Sequence, residues 1–434
     1  MSEADGHAIR PQMPDRVRGL VRTGLGVDRA RVIEFSLFLG SVLALQGSRF
    51  LFTLIVAAGL RPAQFTSWTQ FVTIVGYAPA ILLGVGNGMN RLLPILVGRG
   101  DQAEAEQTES AAWSMVGAVI VASLVLTALS AWAGMSGWLT AAILAGCATT
   151  VYQVQQFAMR SRLLFNRASM QQGAWACITG VGAVAVLLTN GSLGSVLWIW
   201  TVMAVAALAV GQLLRRPIVM RPSPIRTWRL LSMGFPIMLS GLMGNLFYTT
   251  DRWVASGRLD VSAAGSYGLA SLIASAVLLV PTVVAQQQYP RLAMLYGGGA
   301  TATKLREAAR NQSLEAAGAS VITAVGVCAF SLFIIPHILP AYVAATAPAM
   351  ILSFGIAALA GGIGYGNLLV VIGALWAYLV LQLSCFVIAV LLMWLGCGFG
   401  GGVGLAVGFA AGQAITTAVL IIAARKLLSR KVSQ

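Results

Sequence analysis

Residues Gly234 to Arg252 read GFPIMLSGLMGNLFYTTDR, and after a short turn Gly265 to Arg291 read GSYGLASLIASAVLLVPTVVAQQQYPR. Both are long apolar runs that end in charge. A helix of about 20 apolar residues, rising 1.5 Å per residue, crosses the hydrocarbon of a bilayer. The pair therefore reads as two membrane-spanning helices joined by a short outer turn. Asp251 and Arg252 close the first of them. Lipid penalises each such charge by about 2.5–3.5 kcal/mol. They either face a bundle interior or wet cavity, binding an anionic cargo or coupling a cation, or snorkel to the outer interface.

Runs of this kind fill the chain. Of its 434 residues 58% are hydrophobic and 9% charged, against about 25% charged in a soluble domain. The surplus of apolar surface needs lipid to cover it. The spans predicted are Ile33–Ala58, Ser67–Leu96, Ala111–Ala133, Trp138–Met159, Ala174–Leu188 and Leu193–Leu214. A second set follows: Leu230–Val254, Ala263–Tyr289, Leu314–Ile335, Thr346–Val370, Leu375–Leu395 and Val403–Ala424. The fold class is an all-α polytopic membrane protein with about twelve transmembrane helices. Between Ile338 and Ala424 no side chain is charged, so three helices fit there without fixed breaks.

A net charge of +15 would suggest nucleic acid in a soluble protein, but here the charge is confined to alternate loops. All Lys and Arg except Arg49, Arg61, Arg252 and Arg258 fall on one side if the N-terminus is inside. Both termini are therefore expected in the cytoplasm. Residues 1–31 are expected to be a basic cytoplasmic tail, either a retention signal for topology alone or an interfacial segment on anionic lipid, and too polar for a cleaved signal. The loop 215–229 divides a lobe at 32–214 from one at 230–424, with a short tail at 425–434. Cys147, Cys177, Cys328, Cys385 and Cys397 lie in or at the ends of apolar runs and read as small buried hydrophobes.

The two lobes repeat weakly. Each opens with a hairpin whose first helix is polar near its middle or outer end: Gln46 and Arg49 in one, Asn245, Asp251 and Arg252 in the other. The second helix ends Leu93-Pro94 or Tyr289-Pro290, before a glycine-bearing charged loop. Such pseudo-repeats are a transporter habit. Arg49, nearer mid-helix, is assigned to a cavity lining. Asn87, Asn90 and Arg91, with Gln286, Gln287, Gln288 and Arg291, form either a vestibule or ordinary helix–helix hydrogen bonds. Tyr152, Gln153, Gln155 and Gln156 make a further polar patch, and Pro79, Pro236 and Pro281 mark bends. Gly396-Cys397-Gly398-Phe399-Gly400-Gly401 has dinucleotide spacing but follows no strand. No Walker loop, zinc spacing or nucleophile elbow is present, and His337 sits in an outer loop.

The hairpins resemble the polysaccharide (O-antigen type) flippases of the multidrug/oligosaccharidyl-lipid/polysaccharide exporter superfamily. The residues carrying this are Gly86-Asn87-Gly88-Met89-Asn90-Arg91-Leu92-Leu93-Pro94 with Gly98-Arg99-Gly100-Asp101. In the second half they are Gly234-Phe235-Pro236, Asp251-Arg252, Gly265-Ser266-Tyr267-Gly268-Leu269-Ala270 and Tyr289-Pro290-Arg291-Leu292. The resemblance implies two six-helix lobes around a central cavity. It also implies a polyprenyl-pyrophosphate-linked oligosaccharide moved from the cytoplasmic to the outer leaflet of a bacterial inner membrane. On it Arg49, Arg252 and Arg91 or Arg291 would meet pyrophosphate, while Asn245, Tyr248, Trp68, Trp253 and Tyr267 are candidates for further substrate contacts. Asp251 would couple a proton or sodium gradient, with no cofactor. A polysaccharide polymerase and glycosyltransferases are the implied partners of a monomer that binds no nucleic acid. The alternatives are a multidrug exporter of the same superfamily, which would want more intramembrane carboxylates, and a membrane enzyme, which would want a large outer loop or a catalytic histidine.

Overall fold

The computed structural model describes residues 29–60, 62–189, 192–214, 220–338 and 340–432. The tail arginines Arg10, Arg16, Arg18 and Arg22, together with Arg61, Arg215 and Arg216, lie outside the described residues, as does the side chain of Tyr248.

The protein is all helical. The first lobe comprises α1 (Arg29–Gly59), α2 (Pro62–Tyr77), α3 (Val85–Arg99), α4 (Gln102–Trp132), α5 (Gly137–Ser161), α6 (Phe165–Leu188) and α7 (Leu193–Leu214). The second comprises α8 (Pro224–Arg258), α9 (Val261–Ala274), α10 (Leu279–Gly297), α11 (Ala302–Ile338), α12 (Thr346–Ala360), α13 (Ile363–Val371) and α14 (Leu375–Val432). The starts follow local chemistry. Asp101 accepts from the Glu104 amide, Asp260 from that of Ala263, and Ser223 precedes Pro224 at the first turn of α8.

Among the described residues ten helices are long and apolar enough to cross a membrane. The bent pair Gln70–Leu82 and Val85–Arg99, meeting at 57°, supplies an eleventh. The 54-residue segment Leu375–Leu428 is a hairpin that turns at Gly400 and Gly401. A Cβ on Gly396 would lie 2.2 Å from the Gly404 carbonyl, and one on Gly408 2.3 Å from that of Leu392, so its two arms run antiparallel in backbone contact. With that fold-back the expected twelve traverses are present. From α12 onward the breaks in the uncharged region are at glycine, at Gly361-Gly362, at Gly373 with φ of 79°, and at Gly400-Gly401, whereas the break before α12 is a 3₁₀ turn over Pro340–Ala345.

The repeat is visible in how the second helix of each lobe is interrupted. A 3₁₀ turn over Ala78–Leu82, holding Pro79, separates α2 from α3, and another over Ser275–Leu278 separates α9 from α10 just before Pro281. Leu83 and Gly84 complete the first break with φ of 48° and 91°. This break lets backbone meet backbone across the lobes. A Cβ on Gly84 would lie 2.4 Å from the Gly234 carbonyl carbon, and one on Gly88 2.1 Å from the Leu230 oxygen. Gly98 against Met294 and Gly297 against Ile95 repeat the contact between α3 and α10. Small residues allow this approach where lipid offers no hydrophobic drive between helices.

Charge ties the same end of the seam. Arg291 Nη2 meets Glu34 Oε2 at 2.9 Å, and Arg226 and Arg229 reach Glu104 at 3.0 and 3.3 Å. The carboxy-terminal turn of α14 packs there too, with Leu428 beside Leu292 and Leu305. Away from this end each lobe builds its own core. In the first, Phe52, Trp68, Phe71 and Trp200 pack ring to ring at 5.4–5.7 Å. Leucine, valine and tryptophan cover the outer surfaces, as an apolar solvent requires.

Candidate functional site

Between the lobes lies a cavity of about 750 Å³. The first lobe contributes Gln46 and Arg49 of α1 and Tyr152, Gln153, Gln156 and Arg160 of α5, with Gln172 of α6. The second contributes Gln286 and Tyr289 of α10, Asn367 of α13, and Tyr378, Gln382, Gln413 and Thr416 of α14. Among the described residues no aspartate or glutamate lines the cavity. The lining is therefore cationic on the first lobe and neutral, rich in amides and phenols, on the second.

Arg49 is held by an aromatic stack. Its guanidinium lies 4.3 Å from the Trp175 ring centroid, and Tyr152 packs edge-on to the same indole at 4.2 Å. The flat cation stacks on a flat ring, an arrangement that spares the in-plane donors, and its buried Nε has no hydrogen-bond partner. Arg160 is 8% exposed, lies over Phe157 at 5.2 Å and donates from Nε to the Gln156 carbonyl. The predicted span ends at Met159, one residue short of Arg160. Its helix continues to Ser161 and turns the side chain inward.

Behind this wall runs a one-directional chain of amides. Ser41 donates to Gln172 at 2.9 Å, Gln172 to Gln156 at 3.2 Å, Gln156 to Gln171 at 2.8 Å and Gln171 to Gln155 at 2.5 Å. Gln155 closes it on the Leu208 carbonyl. The room comes from Gly211, where a Cβ would lie 2.0 Å from Gln171 Nε2 and 2.1 Å from Gln155 Oε1.

The cavity has a floor. Arg91 Nε donates to the Val370 carbonyl at 2.6 Å and Nη2 to that of Val371 at 3.1 Å. These are end carbonyls of α13, beyond its i→i−4 ladder, and that of Val370 also accepts from the Gly373 amide at 3.1 Å. Val370 and Asn90 both line the cavity, so the arginine of one lobe caps a helix of the other beneath it. Arg91 thus spends its donors on the seam, as Arg291 does on Glu34.

The remaining expected residues sit elsewhere. Asp251 is 1% exposed, inside the second lobe. It accepts from Ser271 Oγ at 2.8 Å and the Arg252 amide at 2.8 Å, while Arg252 Nε donates to Ser271 at 3.0 Å. A void of about 20 Å³, bounded by Asp251, Ser271, Leu352 and Phe409, adjoins it, room for about one water. Tyr267 is 1% exposed beside this carboxylate. Trp68 is 1% exposed in the aromatic core, Trp253 is 75% exposed on the outer surface, and Asn245 is exposed outside the lining. The structure brings together Arg49 and the polar patch of α5, and it leaves the Asp251 group apart from them. Among the lining residues that sequence reasoning passed over are the amides Asn367, Gln382 and Gln413. Their signal was available: they are amides inside the uncharged region 338–424.

Similarity to known structures is extensive in shape and low in sequence. A point mutant of the Vibrio cholerae MATE transporter VcmN superposes with a TM-score of 0.78 at 15% identity over 92% of this chain and 96% of that one. A multidrug resistance MATE family transporter of the MOP superfamily in an outward-facing conformation gives 0.76 at 14% identity, over 92% and 96%. A MOP superfamily transporter from Pyrococcus furiosus, described as having a binding pocket of reverse polarity that suggests a different function, gives 0.74 at 15% identity, over 91% and 95%. No protein-family model and no curated protein matches the sequence. The class defined by fold and site is thus a multi-pass membrane protein with the two-lobed fold of MATE transporters.

Proposed function

We propose that the chain is a transporter that works by alternating access and carries an anionic amphiphile through the cavity between its lobes. The observation that carries this reading is the lining: among the described residues Arg49 and Arg160 face the cavity and no carboxylate does. Desolvated guanidinium forks suit phosphate oxygens. The cargo proposed is a polyprenyl-pyrophosphate-linked oligosaccharide, moved from the cytoplasmic to the outer leaflet of a bacterial inner membrane for surface or exopolysaccharide synthesis. On the proposed cytoplasmic placement of both termini, the seam of Arg91, Glu34 and the paired glycines closes the inner end. Asp251 is proposed as the coupling carboxylate, since it is buried with only hydroxyl, amide and arginine partners and shares a lobe with half the lining. A polysaccharide polymerase and glycosyltransferases are the proposed partners of a monomer.

The second reading, a multidrug or organic-cation antiporter, is the one the structural comparisons favour, because a neighbour of this fold is described as a multidrug resistance transporter. The absence of a carboxylate from the described lining residues weighs against cationic drugs as cargo. One experiment separates the readings. Deletion of the gene is expected to accumulate lipid-linked oligosaccharide on the inner leaflet, and an Arg49→Ala, Arg160→Ala double variant should restore at most a tenth of the wild-type flipping rate. A deletion strain with normal leaflet distribution but heightened sensitivity to organic cations would establish the second reading instead.

A further inference from the structure

The second-lobe wall of the cavity holds amides with nothing to bond. Gln413 is 0% exposed, it borders the cavity, and neither its Oε1 nor its Nε2 has a hydrogen-bond partner. Asn367 Nδ2, on the neighbouring α13, is buried and unpartnered as well. A buried amide without partners is costly, and native proteins rarely keep one without a use. Nearby polar groups of the same wall are already committed: Gln382 Nε2 donates to the Tyr378 hydroxyl at 2.9 Å and Thr416 Oγ1 to the Gly412 carbonyl at 2.8 Å. Among the described residues of this wall, the buried polar atoms left without a partner are those of Gln413 and Asn367 Nδ2. These atoms are uncharged and offer both donors and an acceptor, and Tyr289 and Tyr378 line the same cavity.

We infer that Gln413 and Asn367 form a subsite for a neutral, multiply hydroxylated or amide-bearing group, of which a sugar ring with hydroxyl and acetamido substituents is the chemical type. The inference rests on the anionic reading of the cavity and divides it: the first lobe grips the charged end of the cargo through Arg49 and Arg160, and the second grips its uncharged end. Phosphate would find no cation at Gln413, and an apolar drug would leave the amide unbonded. A sugar hydroxyl satisfies both amide atoms at once.

The test compares two probes on the purified full chain in nanodiscs: undecaprenyl pyrophosphate, and the same lipid carrying N-acetylglucosamine. Wild type is expected to bind the sugar-bearing lipid about tenfold more tightly. Gln413→Leu should erase that advantage and Asn367→Ala should reduce it severalfold, with monodisperse protein and an unreduced melting temperature showing that each variant is folded. If Gln413→Leu proves unstable, Asn367→Ala decides alone. An advantage that survives the variants, or a wild type that binds both lipids equally, overturns the subsite and leaves the pyrophosphate reading standing. A wild type that binds neither lipid overturns that reading and the subsite with it.

Discussion

Arg91, on α3 of the first lobe, donates from Nε to the carbonyl of Val370, on α13 of the second, at 2.6 Å. One side chain thereby spans the seam, caps a helix end and floors the cavity. Hydrogen bonds from a charged donor contribute about 1.5–3 kcal/mol each. Arg91→Ala is therefore expected to lower the population of the state closed at this end at least tenfold. Electron–electron distance measurements between spin labels on the two lobes check this, and an unchanged distance distribution would refute the latch. Arg91→Lys should be intermediate, since a point charge cannot reach two carbonyls with a planar fork.

Sequence alone revealed the membrane class and the number of traverses because apolar periodicity and loop charge are local properties. The interruption at Pro79 and the repeat between hairpins were legible for the same reason. The partition of arginines was not. Arg49, Arg91 and Arg160 are all cations at helical positions, yet one stacks on Trp175, one caps α13 and one turns under Phe157. Which fate each meets depends on where a second helix passes, and that is a tertiary fact. Asp251 illustrates the same limit, because its partner Ser271 lies on the facing helix and draws it into the lobe. Gln413 was overlooked because an uncharged amide raises no alarm in an apolar run.

The glycine seam makes a sharp contrast. Gly84 has φ of 91° and would drive a Cβ to 2.4 Å from Gly234 backbone, whereas Gly40 on α1 has nothing within 4 Å. A left-handed backbone costs a side chain about 1–2 kcal/mol before any clash, and overpacking adds about 1–3 kcal/mol. Gly84→Ala should lower the melting temperature of the protein in detergent by several degrees or abolish its folding. Gly40→Ala should leave it unchanged or raise it. Equal effects would mean that the lobes do not meet at Gly84.

The amide chain invites a double-mutant cycle. Gly211→Ala forces a methyl into Gln171 and Gln155 and should cost about 2 kcal/mol through overpacking and lost hydrogen bonds. Gln171→Ala removes two links and should cost about 1–3 kcal/mol. The combined variant gains the vacated space, so its cost should fall short of the sum by at least about 0.5 kcal/mol. Strict additivity in denaturation measurements would place Gly211 and Gln171 out of contact.

Asp251 separates coupling from cargo binding. Its carboxylate accepts from Ser271 and from the Arg252 amide and is absent from the cavity lining. Asn at this position keeps one acceptor oxygen and the side-chain volume, so the lobe should fold, with a stability change of at most about 1–2 kcal/mol. The neutral side chain can neither release a proton nor balance a cation. Asp251→Asn proteoliposomes are therefore expected to flip lipid-linked substrate at a rate indifferent to an imposed proton or sodium gradient, where wild type responds to one of them. Ser271→Ala, which removes a donor without removing the charge, should retain the response with a shifted pH midpoint. A gradient response that survives in Asp251→Asn would move coupling elsewhere. Among the described residues the next candidate is Glu315, which accepts from Gln288 on the cavity-bearing helix α10.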